Sequence, residues 1–283
     1  MTETQALTAT LEKLPGLGSP YPISDEQIAA FQQDGHVLVP GLSSQEETAA
    51  YRPFIAAAVD RYNQEMRPIQ ERDTYSKAFL QIMNLWVRDE AVRRFVLARR
   101  FGQVAAALMG VKGVRIYHDQ ALFKEPGGGL TPWHQDQYYW PLDTNHTVTL
   151  WMPLIDVTPE MGTLVFASRS QAEGYLGKIP ISAESEEIFK RFVKERGFPI
   201  SPAPSMLAGD ASFHGGWTLH SAPGNETKVM RAVMTIIYVA DGTHASQPDN
   251  SHRESDLASW LPGLKPGDLV ASPLNPLVYR EEG

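Results

Sequence analysis

No cysteine occurs in the 283 residues. That absence removes disulfides, thiolate nucleophiles and thiolate-ligated zinc or iron–sulfur sites together, leaving imidazole and oxygen ligands for any metal chemistry. Basic charge is also scarce: 25 Lys and Arg stand against 33 Asp and Glu, a formal charge of −8. With no basic run interleaved with aromatics, nucleic acid is not an expected partner. No apolar stretch approaches the roughly 20 residues of a membrane span. Met1-Thr2-Glu3-Thr4 lacks the basic segment and apolar core of a secretory signal, so no membrane partner and a cytoplasmic location are expected. There is no internal repeat and no G-x-S-x-G, which weakens a serine hydrolase. Pro126-Gly127-Gly128-Gly129 is followed by neither Gly-Lys-Ser/Thr nor a helix, and reads as a flexible turn rather than a phosphate loop.

What the chain does have is enough apolar content, 42%, to bury a full core, and a barrel of this length is commonly one domain. Residues 1–22, rich in Thr, Pro and Gly, read as a mobile leader. Ser24-Asp25-Glu26-Gln27 is a capping box opening a short helix that ends near Gly35, and His36 to Val39 reads as a strand. A second helix starts at Ser43 or Ser44, its apolar stripe being Tyr51, Ile55, Val59, Tyr62 and Met66. Two further helical segments are predicted, Tyr75 to Trp86 and Glu90 to Met109, the latter stopped by Gly110.

From Gly113 the period becomes two: Val114, Ile116, His118, Gln120 and Leu122 fall on one face of a strand and the residues between them on the other. Further β-rich runs lie at Thr147 to Leu154, Thr163 to Ala167, Pro204 to Leu207, Phe213 to His220 and Val229 to Ala240, interrupted by a charged amphipathic helix over 182–196. Many short strands separated by turns imply an antiparallel barrel or jelly roll. The expectation is a mainly β chain: a helical flank over 24–110, a core over 113–240 and a C-terminal extension over 241–283.

His134-Gln135-Asp136, followed 84 residues later by His220, is the most informative pattern. If Trp133 to Gln137 is extended, residues i and i+2 share a side, so His134 and Asp136 converge while Gln135 points away. His220, in a second extended segment, would complete two imidazoles and one carboxylate. Such a set occupies one face of an iron ion and leaves positions open, as in non-heme Fe(II) oxygenases. Arg231 lies eleven residues on, in the β-rich run Val229 to Val239. A charge there needs an anionic partner: either a carboxylate of the chain or a ligand carboxylate gripped by the guanidinium fork.

The chain resembles the phytanoyl-CoA dioxygenase family of Fe(II)/2-oxoglutarate oxygenases. The likeness is carried by Phe31-Gln32-Gln33-Asp34-Gly35-His36-Val37-Leu38-Val39-Pro40, Trp133-His134-Gln135-Asp136, Glu160-Met161-Gly162-Thr163-Leu164 and His220-Ser221-Ala222-Pro223-Gly224-Asn225 with Arg231, in family order. It implies a double-stranded β-helix of jelly-roll, cupin-like type. It also implies Fe(II) held by His134, Asp136 and His220, with 2-oxoglutarate and dioxygen as co-substrates. The same resemblance assigns Arg231 to the far carboxylate of 2-oxoglutarate and Gln120, Trp151 and Thr163 to its pocket. Where the family often has Ser two residues after the distal His, this chain has Ala222, so Ser221, Thr163 or Thr235 would supply a second hydroxyl, or none does. The implied reaction decarboxylates 2-oxoglutarate to succinate and oxidises, usually hydroxylates, a substrate C–H bond.

For substrate, Tyr138, Tyr139 and Trp140 directly after the ligand pair could cover an apolar or ring-containing small molecule, or could be a packed loop. His118, on the face carrying Gln120, joins this set; the other histidines outside the triad read as surface or core residues. The leader and the stretch after Asp241 could form a lid. No basic patch for a CoA phosphate is found, so a secondary metabolite or other non-CoA small molecule is expected. Two rival classes stay open: a zinc hydrolase or isomerase on the same ligands, which Arg231 argues against by demanding an anion, and a non-catalytic jelly-roll binding module.

Overall fold

In the computed structural model, residues 11–282 are described. Ser24 opens α1 (Asp25–Asp34): its hydroxyl accepts from the Gln27 N–H, the Gln27 side chain accepts from the Ser24 N–H, and Gly35 closes the helix at φ +78°. β1 (His36–Val39) follows. Ser44 caps α2 (Gln45–Tyr62) by the same reciprocal pairing with Glu47. Tyr51, Ile55 and Val59 are buried as the stripe predicted, while Met66 lies beyond the helix end and is exposed.

The predicted helix over Tyr75 to Trp86 does not form; β2 (Leu80–Met83) and a 3-10 turn at Leu85–Val87 take its place. Leu80 and Ile82 alternate inward at period two, and the buried Asp119 carboxylate accepts the N–H groups of Leu85 and Trp86, fixing the turn to the sheet. The next segment is two helices, α3 (Glu90–Val96) and α4 (Arg99–Met109), the second stopped by Gly110 at φ +68°.

The remaining elements are β3 (Gly113–Lys124), β4 (Thr131–His134), β5 (Thr147–Pro153), β6 (Val165–Ala167), α5 (Ala183–Arg196), β7 (Ile200–Pro202), β8 (Ala211–Gly215), β9 (His220–Ala222), β10 (Arg231–Ala240), α6 (Ser251–Trp260) and β11 (Leu277–Arg280). Three expectations change. Phe213 to His220 is two strands in different sheets, divided by a turn. Pro204 to Leu207 forms only the bridge of Met206 to Val157. β4 ends at His134, before Gln137.

All strand pairings are antiparallel. The larger sheet runs β1-β8-β5-β10-β3-β11 with β2 sharing the free edge of β3; the smaller runs β4-β9-β6-β7. The helices α1 to α4 bury their apolar sides against one face of the larger sheet, on Val114, Ile116, Val148, Leu150, Met234 and Ile236. Its other face looks toward the smaller sheet. A bulge decides which residues of β3 look there: Ile237 pairs with His118 and Tyr238 with Ile116, so Tyr117 is the extra residue. Val114 and Ile116 therefore face the helices while His118, Gln120 and Leu122 face the opposite side, correcting the unbroken alternation.

Residues 1–10 of the expected leader lie outside the described residues; residues 11–22 are packed, with Leu17 buried and the Pro15 carbonyl accepting from the Tyr51 hydroxyl. The turn Pro126-Gly127-Gly128-Gly129 exchanges two backbone hydrogen bonds with Asn225. No helix among the described residues is long and apolar enough to cross a membrane.

Candidate metal centre and its cavity

β4 and β9 pair with His134 directly opposite His220, their ring centroids 4.1 Å apart. Asp136 reaches the same point from the start of a 3-10 turn, Asp136–Tyr138, rather than from a continuous strand. His134 Nε2 is 3.4 Å and His220 Nε2 3.6 Å from Asp136 Oδ1, and the three ligand atoms lie within 4.8 Å of one another. Gln135 points away, donating to the Gly174 and Trp217 carbonyls.

The donor chemistry fits an iron ion. His134 Nδ1 lies 2.7 Å from the Pro132 carbonyl and His220 Nδ1 3.0 Å from that of Thr218. Each carbonyl can only accept, so the ring protons sit on Nδ1 and both Nε2 lone pairs point inward. Burial opposes ionisation of Asp136, but the imidazoles packed around it, His214 through its hydrogen bond, hold its carboxyl well below the usual range. Burial likewise keeps His220 neutral. A carboxylate with neutral imidazoles is the state that binds metal.

The outer oxygen of Asp136 is also fixed. Its Oδ2 accepts from Thr149 Oγ1 at 2.8 Å and pairs with His214 Nε2 at 3.2 Å. His214, in β8, had only a bland reading from the sequence, yet it is 1% exposed and lies tilted against the His220 ring at 4.3 Å. No local motif marks it; it reaches Asp136 only because β8 and β5 pair, placing Thr149 opposite His214.

The far end of the cavity is cationic. Arg231 begins β10, is 1% exposed, and donates one guanidinium nitrogen to the Gly162 carbonyl; its Nε has no partner. No carboxylate pairs with it among the described residues, and burial alone lowers its pKa to about 9. The Trp151 ring lies under the guanidinium at 5.4 Å. Gly162, at φ +83°, brings its turn against β9's exit: a Cβ there would stand 2.4 Å from the Pro223 carbonyl oxygen. Lys124, opposite Arg231 in register, is a second buried basic side chain that the sequence reading left without a role, although it meets the same test of an ionisable group in a β run. Its Nζ donates to the Gly129 and Pro223 carbonyls at 2.7 and 2.8 Å; burial and the neighbouring Arg231 push its pKa down to about 6.

One cavity of about 520 Å³ connects the triad to Trp151 and Arg231. Of the sequence candidates it brings together His134, Asp136, His220, Arg231, Gln120, Trp151, Tyr139, Trp140 and His118. Three do not line it. The Thr163 hydroxyl donates to the Ala203 carbonyl. Ser221 faces away because β9 turns His220 and Ala222 inward at period two. Tyr138 is buried between Tyr139 and His252 as loop packing. Thr235 does line the cavity, but its hydroxyl donates to the Gln120 carbonyl. Tyr75, Gln81, Asp256 and Trp260 were not anticipated. Tyr75 donates to Gln81, which donates to Gln120 at 3.0 Å.

The phytanoyl-CoA dioxygenase (PhyH) family profile matches residues 31–233. A methylphosphonate hydroxylase of Gimesia maris is 26% identical over 226 residues, 77% of this chain and 81% of that protein. An ectoine dioxygenase of Stutzerimonas stutzeri is 24% identical over 241 residues, 77% of each. Among solved structures, the non-heme alpha-ketoglutarate-dependent carbocyclase SnoK from nogalamycin biosynthesis superposes with a TM-score of 0.75 over 92% of this chain and 99% of its own. At 23% identity, that likeness speaks for the fold. With the match spanning both ligand-bearing strands and the start of the Arg231 strand, the chain belongs to the phytanoyl-CoA dioxygenase family.

Proposed function

We propose that this protein is an Fe(II)- and 2-oxoglutarate-dependent dioxygenase that oxidises, most simply hydroxylates, a C–H bond of a small organic molecule. The observation that carries the reading is a single cavity holding two kinds of unspent chemistry. At one end are three metal-competent donors; at the other is a buried guanidinium without an anion. A guanidinium so desolvated favours a carboxylate presented bidentately. The two sheets, one large and one small around a shared cavity, are read as a jelly-roll core.

His134, Asp136 and His220 would hold the iron. Bound there with 2-oxoglutarate, it supplies activation of dioxygen coupled to decarboxylation of the co-substrate to succinate and carbon dioxide. The chain's own residues do the rest. Thr149 and His214 hold the outer oxygen of Asp136, leaving Oδ1 toward the metal point. Arg231, backed by the Gly162 carbonyl and the Trp151 ring, would take the distal carboxylate. Gln120 and Gln81 present amides along the wall, and the aromatic side chains beyond them exclude water around the substrate.

Retention of Asp136 argues against halogenation. With Asp136 kept beside His134 and His220, an iron held there would have no position to spare for a halide alongside its co-substrates. A zinc hydrolase on the same ligands would give no use for a buried Arg231. The curated relatives are named for small substrates, methylphosphonate and ectoine, and SnoK for antibiotic biosynthesis; they support a small non-CoA substrate, in keeping with secondary metabolism. Oxygen-dependent conversion of 2-oxoglutarate to succinate by the Fe(II)-loaded protein, with a substrate mass gain of one oxygen, is the test. Turnover with zinc and without 2-oxoglutarate would overturn it.

A further inference from the structure

The cavity beyond the metal point holds chemistry that neither the triad nor Arg231 uses. α6 lays Asp256 and Trp260 against it, β3 contributes His118, and the loop after β4 contributes Trp140. Asp256 is held from behind: its Oδ2 accepts from the Tyr117 hydroxyl at 3.0 Å. Among the described residues no cation pairs with it, and burial raises its pKa to about 7. His118 is 2% exposed, and its Nδ1 has no hydrogen-bond partner. Burial pushes its pKa down to about 3, so the ring adds no positive charge. Around these stand aromatic rings: the His118 ring lies tilted at 5.6 Å from Trp260 and edge-to-face at 6.5 Å from Trp140. Arg253, the cation of the same helix, is spent on Asp249 and the Gln137 and Tyr138 carbonyls. A carboxylate held by hydrogen bonds but paired with no cation, a neutral imidazole and tilted aromatic rings make an electron-rich enclosure, which attracts a cation.

We propose that the substrate carries a protonated amine, seated against the Asp256 carboxylate among the rings of His118, Trp140 and Trp260. The oxidised carbon would then lie toward His134, Asp136 and His220; only that orientation rests on the oxygenase reading, since the amine seat is built without the metal. At the opposite end Arg231 takes an anion, so the two ends of the cavity select opposite charges.

The test uses the full chain without iron or 2-oxoglutarate, by calorimetry and ligand-observed NMR at pH 8. There Asp256 is ionised, while an alkylammonium, near the lysine value of about 10.4, stays charged. Phenethylamine, phenethyltrimethylammonium and the neutral 2-phenylethanol are the probes. Both cations should bind at least tenfold more tightly than the alcohol. Asp256→Asn should abolish that preference, and Trp260→Leu should weaken both cations without improving the alcohol. Equal binding of cation and alcohol, no binding of any probe, or an undiminished preference in folded Asp256→Asn would each overturn the proposal. Should Asp256→Asn fail to fold, Trp260→Leu with the three probes decides alone. Because no turnover is measured, failure here leaves the succinate test of the oxygenase reading untouched.

Discussion

A guanidinium that is 1% exposed, with one nitrogen satisfied and Nε unpartnered, is costly to bury unless an anion completes it, the role proposed for 2-oxoglutarate. Arg231→Ala should therefore raise the KM for 2-oxoglutarate by about 30-fold or more, since losing one side of such a pair costs about 2–5 kcal/mol. Arg231→Lys should recover part of this, lacking the fork. A 2-oxoglutarate dependence unchanged by Arg231→Ala would return the residue to a structural role. His214 and Thr149 make a separate prediction. Freeing Asp136 Oδ2 by His214→Ala or Thr149→Val should weaken Fe(II) affinity about 10–100-fold, measured by competition with a chelator. Wild-type affinity in both variants would show that Asp136 needs no such support. The triad was legible through the i, i+2 spacing of His134 and Asp136 and the ordered motifs around His220, and Arg231 as a charge in a β-rich run. Thr149 and His214 were not: a threonine in a strand and a lone histidine have ordinary explanations until a register places them on one carboxylate.

At the scale of elements, helix caps were readable because a capping box is local chemistry, and Ser24, Ser44 and Gly110 all act as predicted or within a residue. Tyr75 to Trp86 was misread because its strand is defined by a partner, β3, some 40 residues later. The bulge at Tyr117 was equally invisible, yet it turns His118 and Gln120 into the cavity. Asp119, on the face opposite those two, anchors β3 to the Leu85 turn as a buried acid pushed up to about 7. A carboxyl whose folded pKa exceeds its unfolded value of about 3.8 contributes stability that is complete below that value and lost as pH rises through about 7. Asp119→Asn should thus flatten the fall in unfolding free energy between pH 5 and pH 8, read from denaturant curves of both proteins. Parallel curves would show that Asp119 ionises freely in the fold. Gly162→Ala tests the turn under Arg231: φ +83° and a Cβ 2.4 Å from the Pro223 oxygen should cost at least about 1–3 kcal/mol. It should also raise the KM for 2-oxoglutarate, because the Gly162 carbonyl positions the guanidinium. Unaltered stability and KM would disprove the coupling.

Across the whole molecule, helices on one face of the larger sheet fix a scaffold whose other face, with the smaller sheet, encloses the cavity. The C-terminal stretch, expected as a possible lid, contributes a wall through α6 and a strand, β11, on the edge of β3. The claim on which the rest depends is that one cavity couples 2-oxoglutarate breakdown to the His134, Asp136 and His220 centre. The direct measurement is succinate formed per 2-oxoglutarate consumed when oxygen is admitted to protein loaded anaerobically with Fe(II). Wild-type protein should yield stoichiometric succinate, and His134→Ala, Asp136→Ala and His220→Ala, each still folded by circular dichroism, should yield none above free iron. Undiminished succinate from any of the three folded variants, or none from the loaded wild type with amine and neutral candidate substrates alike, would contradict it.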